Sequence, residues 1–66
     1  MYEENNVIKL MQVMGTVLEE SEMNAGKFAD GNKSAGTRLR KNMQDVKKFA
    51  QAVRTEVQEQ KNSVLA

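Results

Sequence analysis

Residues 28–41 read Phe28-Ala29-Asp30-Gly31-Asn32-Lys33-Ser34-Ala35-Gly36-Thr37-Arg38-Leu39-Arg40-Lys41, and the five from Asp30 to Ser34 decide the fold. They are a cluster of turn and cap formers around Lys33. Gly31 can supply the left-handed residue that ends a helix, and Ser34 or Asn32 can cap the next one with a side-chain oxygen. So short a connection returns the second helix antiparallel to the first. On both sides the apolar residues step by alternating threes and fours, the seam of a coiled coil. Before the turn the series is Val7, Met11, Met14, Leu18, Ser21, Ala25 and Phe28, six of seven apolar. After it come Leu39, Met43, Val46, Ala50, Val53, Val57, Gln60 and Val64, seven of eight apolar.

Strand alternation appears nowhere over a useful length, and the chain has no proline. The expected fold is all-α, a single domain over residues 1–66: an antiparallel two-helix coiled-coil hairpin with a helix over about 5–29, a turn at 30–33 and a helix over about 34–61. Each helix is then roughly 36–42 Å long. Pivoting on the turn sets Leu18 near Val46, Met14 near Ala50 and Val7 near Val57.

A lone helix pair has little core, and eight of the twelve residues from Val7 to Leu18 are apolar, more than one seam can hide. Ile8, Leu10, Val13 and Val17 are left over, as is Phe49 at the same end of the hairpin. The simplest burial is a dimer of hairpins, a four-helix bundle with these five residues at the interface. The alternative is a loose monomer with a frayed end.

Composition narrows the chemistry. With 66 residues and neither Cys nor His, disulfides are impossible and a structural zinc site would need carboxylates alone. Self-association is the remaining way to support a core this small. The commonest nucleophiles and bases are missing, so no enzymatic activity, metal, cofactor or small-molecule substrate is expected. Glu19 and Glu22 can share a helix face, but no base or nucleophile accompanies them. The stretch Val7 to Leu18 is too short to cross a membrane and is broken by Lys9 and Gln12. Glu3 and Glu4 stand where a signal peptide would be positive, so the chain reads as intracellular.

The formal net charge of +1 conceals an asymmetry. Residues 1–26 hold Lys9 against five glutamates, whereas residues 27–54 hold eight Lys or Arg against Asp30 and Asp45. Within the second helix Lys33, Arg40, Lys47 and Arg54 are spaced by seven and line one side; Lys41 and Lys48 widen that row, and Arg38 sits near the helix start. Such a ladder suits successive phosphates. The alternative is that Glu19, Glu20 and Glu22 meet Lys41, Lys47 and Lys48 across the hairpin in weak ion pairs. The open N–H groups at the start of the second helix can hold an anion, or be closed by an ordinary cap. Gly26 to Ser34 mimics a phosphate-binding loop but has one residue too many before the Lys and no preceding strand. Aromatics are few: Phe28 sits on the seam and reads as core, Phe49 as interface. Base stacking is therefore not expected, and duplex backbone contact is the better form of nucleic-acid binding.

The string Gly31-Asn32-Lys33-Ser34-Ala35-Gly36-Thr37-Arg38-Leu39-Arg40-Lys41 resembles the G-N-K-(A/S)-A-G-x-R-x-R-K signature of the chlamydial histone H1-like proteins and their short bacterial and viral relatives. The similarity continues in pattern through Asp45-Val46-Lys47-Lys48-Phe49 to Val53-Arg54, covering about 31–57. The resemblance implies a cytoplasmic, nucleoid-associated protein that binds duplex DNA with little sequence preference and compacts it. By position the implied contacts are Lys33, Arg38, Arg40 and Lys41, to which the charge row adds Lys47, Lys48 and Arg54. Larger members carry a long Lys- and Ala-rich tail; this sequence ends in Asn62-Ser63-Val64-Leu65-Ala66 and matches the part associated with self-association. The expected partners are thus duplex DNA and further copies of the chain, with no membrane. The competing reading is a helical-hairpin interaction module that is indifferent to DNA and docks residues 7–18 on another protein.

Overall fold

A computed structural model of the chain describes residues 5–65, with side chains for residues 5–63. Two helices, α1 (Asn6–Ala29) and α2 (Lys33–Leu65), fold back on each other as an all-α antiparallel hairpin. It is a flat rod with extents of 53 × 20 × 11 Å. Helix α2 runs past the expected end near 61, because no Gly or Pro follows Gly36 to stop it.

The turn is built from two interlocked caps. Gly31 takes φ +103°, a conformation open to glycine. Its N–H bonds the Phe28 carbonyl at 3.0 Å, and the Asn32 N–H bonds the Lys27 carbonyl at 3.0 Å, which closes α1 with a Schellman motif. Asn32 then caps α2, its Oδ1 accepting from the Ala35 N–H at 3.1 Å. Of the two expected caps, Asn32 holds the position, and Ser34 lies inside the helix. Asn5 caps α1 in the same way, accepting from Val7 at 2.8 Å.

The seam differs from the apolar series read in the sequence. On α1 the seam is formed by Val7, Leu10, Met14, Val17, Ser21 and Asn24, all buried or half-buried, while Ile8 and Gly15 are half-buried off it. On α2 it is formed by Ala35, Leu39, Asn42, Val46, Phe49, Val53, Glu56 and Gln60, with Gly36, Asp45 and Ala52 half-buried on its flanks. The step of threes and fours is kept, but Met11, Leu18 and Ala25 give way to Leu10, Val17 and Asn24. Met43, Ala50 and Val57 give way to Asn42, Phe49 and Glu56; the side chain of Val64 lies outside the described residues. The displaced residues face solvent: Met11 is 52%, Leu18 43%, Met43 43% and Val57 38% exposed. Phe28, expected in the core, is 53% exposed.

The physical reason is polar pairing. The observed seam half-buries Phe49 in place of the small Ala50 and lets its polar members bond one another across the interface. Near the turn Asn24 and Asn42 are 5% and 4% exposed, and Asn24 Nδ2 donates to Asn42 Oδ1 at 2.8 Å. Asn42 Nδ2 donates to Glu20 Oε2 at 2.8 Å. At the far end Asn5 and Gln60 exchange two amide bonds of 3.0 and 3.1 Å, and Asn6 donates to Glu56 at 3.1 Å. Buried Ser21 donates to the Val17 carbonyl at 2.8 Å. Every buried side-chain N or O among the described residues is thereby satisfied, as a buried polar group must be to avoid a large desolvation cost.

Apolar burial is thin by comparison. Ala35 is the one fully hidden apolar residue among those described, and no large side chain is fully buried. Near the turn the Phe28 ring lies so close over Gly36 that a Cβ there would sit 2.6 Å from it. The accessible surface is 5381 Å², against about 4,200 Å² for a compact chain of this mass.

Replacing Asn42 alone by Leu should cost about 1–3 kcal/mol in chemical denaturation, since the amide of Asn24 and the carboxylate of Glu20 lose their partner. The double replacement Asn24→Leu/Asn42→Leu should recover most of that loss. Equal destabilisation by the single and double variants would contradict the pairing.

Candidate nucleic-acid interface

Helix α2 carries eight Lys or Arg against three acidic residues, and its helical geometry sorts them. Lys33, Arg40, Lys47 and Arg54 fall in one row, about 10.5 Å apart along the axis. Lys41 and Lys48 form a second row about 100° further round the helix. Thr37, Gln44, Gln51 and Gln58 lie between the two rows. These three rows look away from α1, because the seam occupies the other side. Asp45 and Glu59 fall on the flank and Glu56 in the seam, so the three rows themselves contain no acidic residue from 33 to 62, although exposed Glu59 borders a depression with Gln51, Arg54 and Gln58. Sequence reasoning missed Lys61, which continues the first row seven residues beyond Arg54 and is also exposed.

All seven expected contact residues (Lys33, Arg38, Arg40, Lys41, Lys47, Lys48 and Arg54) are exposed. Six belong to the two rows. Arg38 stands apart on the flank, where its Nε donates to Asn24 Oδ1 at 3.2 Å. Between the rows the surface dips slightly, in a depression lined by Thr37, Arg40, Lys41 and Gln44.

The alternative use of these charges, pairing with the α1 glutamates, is not what the structure builds. Glu20 is taken by Asn42. Among the described residues the one ion pair is Lys41–Asp45 at 3.8 Å within α2, with the Lys41 side chain 79% exposed. A pair so open and so long contributes little. At the helix start Asn32 caps the Ala35 N–H, as an ordinary cap does.

The five residues assigned to association do not form one patch. Leu10, Val17 and Phe49 are half-buried seam residues whose edges line an open depression with Asp45, Lys48 and Ala52. Val13, 45% exposed, adjoins it in a second depression that also includes Lys9, Leu10 and Ala52. Ile8 lies about 200° from Leu10 around α1 and belongs to the opposite face, with Met11 and Leu18. That face also carries Met43 and Val57 of α2, next to the row of Arg40, Lys47 and Arg54.

Among the described residues no helix is long and apolar enough to cross a membrane. No curated protein and no solved structure matches the chain. The family model described as histone H1-like protein Hc1, however, matches residues 8–63. That span takes in nearly all of both helices, the double-capped turn and every basic residue of the outward rows. By that match over most of its length, the chain belongs to the histone H1-like Hc1 family.

Proposed function

We propose that this hairpin binds duplex DNA through phosphate contacts, with little sequence preference, as a small architectural protein. The family is a DNA-binding, architectural one; the finer statement about how this chain binds rests on its own surface. The observation that carries it is the pair of basic rows on the outward side of α2, Lys33, Arg40, Lys47, Arg54 and Lys61 in one and Lys41 and Lys48 in the other, with no acidic residue within either row. A row of cations at about 10.5 Å intervals along a rigid helix can neutralise several phosphates at once. The counterions released supply most of the affinity. The neutral glutamines and threonine between the rows can bond phosphate or sugar oxygens but carry no pattern matched to base edges. Contacts of this kind position a protein on DNA without reading its sequence.

Self-association completes the proposal. The surface of 5381 Å² exceeds that of a compact chain by an amount comparable to the area each partner gives up in a standard interface, about 800 Å². A second copy is the occupant that fits. The face with Val13 and the edges of Leu10, Val17, Phe49 and Ala52 is the better choice for the contact. Packing through the opposite face would bring two Arg40–Lys47–Arg54 rows together, and like charges so placed repel. Packing through the Val13 face covers Lys48, which borders both depressions, but keeps the Arg40–Lys47–Arg54 row of each copy free, and a dimer then offers two basic surfaces able to bridge duplexes.

Charge reversal at Arg40, Lys47 and Arg54 together should weaken binding to unrelated duplexes alike and reduce the salt slope of log K by about 3. Unchanged anisotropy titrations with that triple variant would remove the row from the interface. For association, Val13→Glu should lower the sedimentation mass of the protein while leaving its helical circular dichroism intact, and Leu18→Glu should change the mass less. The reverse order would assign the contact to the Met11–Leu18 face.

A further inference from the structure

Arg38 is the end of a hydrogen-bond chain that crosses the hairpin. Its Nε donates to Asn24 Oδ1 at 3.2 Å. Asn24 Nδ2 donates to Asn42 Oδ1 at 2.8 Å, and Asn42 Nδ2 donates to Glu20 Oε2 at 2.8 Å. A guanidinium can only donate and an ionised carboxylate can only accept, so the two end groups fix the orientation of both amides between them. The two amides are nearly removed from water, at 5% and 4% exposure, where linked bonds of this kind strengthen one another.

The chain uses one edge of the guanidinium and no more. Arg38 remains exposed, and its terminal amino groups have no partner among the described residues. The side chain is thus held at its base with its two-pronged end turned outward. That end matches a pair of phosphodiester oxygens, which arginine takes through two parallel bonds. Apart from Lys41 with its distant Asp45, no other basic candidate has a side-chain bond to the described residues that fixes its position. Long side chains without such a bond lose rotamer freedom when they bind, which weakens the contact.

We infer that Asn24, backed by Asn42 and Glu20, is a positioning residue that pre-orients Arg38 as the anchor contact for a DNA phosphate. The inference deepens the DNA-binding reading and rests on it. Arg38 then orients the hairpin on the duplex, while the flexible rows of Lys and Arg add charge around it. Asn24 never touches DNA; it acts through Arg38.

The test is a double-variant cycle on the whole chain, read by fluorescence anisotropy with a labelled random-sequence duplex at fixed low salt. Asn24→Ala and Arg38→Lys should each weaken binding by about 2- to 10-fold, with the salt slope unchanged because no phosphate contact is lost. Arg38→Ala should weaken binding and lower the slope by about 0.9. Adding Asn24→Ala to Arg38→Ala should then cause no further loss. A general structural role for Asn24 would instead give the same added loss in both backgrounds and would overturn the inference, as would wild-type affinity in Asn24→Ala. Should circular dichroism show that Asn24→Ala has lost helix, Arg38→Lys decides alone, because it leaves the Asn24–Asn42–Glu20 bonds in place. Wild-type affinity in that variant overturns the inference. Failure of the unaltered protein to bind the duplex overturns the DNA-binding reading itself, and this inference with it.

Discussion

The hydrogen bond between Asn24 and Asn42 is the constraint on which the hairpin depends. Two helices with so little enclosed apolar surface can slide or rotate against each other at small cost, because one half-buried Val or Met substitutes readily for the next. A buried amide pair has no such freedom. A shift by one residue leaves two amides without partners in the least hydrated part of the seam, and each orphaned group costs about 1–3 kcal/mol. The Asn5–Gln60 pair repeats the constraint at the open end, so the register is fixed near both ends of α1. In coiled coils a seam Asn specifies register at the expense of stability, and a thin apolar seam is consistent with that exchange.

This dependence also explains what the sequence reveals and what it hides. The turn at Asp30–Ser34, the two helices and the antiparallel return are legible because capping and threes-and-fours periodicity are local properties. The choice between Leu10 and Met11, Val17 and Leu18, or Phe49 and Ala50 is not. Those pairs are equally apolar, and a count of hydrophobic residues favours the series with fewer polar members. The observed seam carries Asn24, Asn42, Glu56 and Gln60, which look like surface residues until their partners across the turn are known. Polar residues recurring at seam spacing on both helices are the signal that would have pointed to it. The outward charge rows, by contrast, follow from spacing alone, since a row with period seven stays on one side of a helix whichever neighbouring position forms the seam.

The segment that carries the family resemblance acquires physical roles from the structure. Gly31 takes the left-handed conformation, and Asn32 both completes the end of α1 and caps α2. Ala35 is fully enclosed, Gly36 leaves room for the Phe28 ring, and Arg38 ties the start of α2 to the seam. Much of that string therefore builds the turn, and its contribution to binding passes through the direction in which it launches α2. Helix α1, with its glutamates, completes the seam and turns the basic rows of α2 outward. The division of labour accounts for a net charge of only +1 on a molecule with one strongly basic surface.

Duplex binding by that basic surface is tested most directly by the salt dependence of affinity for the unaltered protein. A labelled duplex of roughly 30 base pairs, titrated at several salt concentrations and repeated with an unrelated sequence, gives the number of phosphates neutralised. Phosphate contact from the outward rows of α2 predicts a linear fall of log K with log salt concentration, with the same steep slope for both sequences. Absence of binding at low salt, or an affinity insensitive to salt, would contradict it and leave the hairpin as a protein-interaction module.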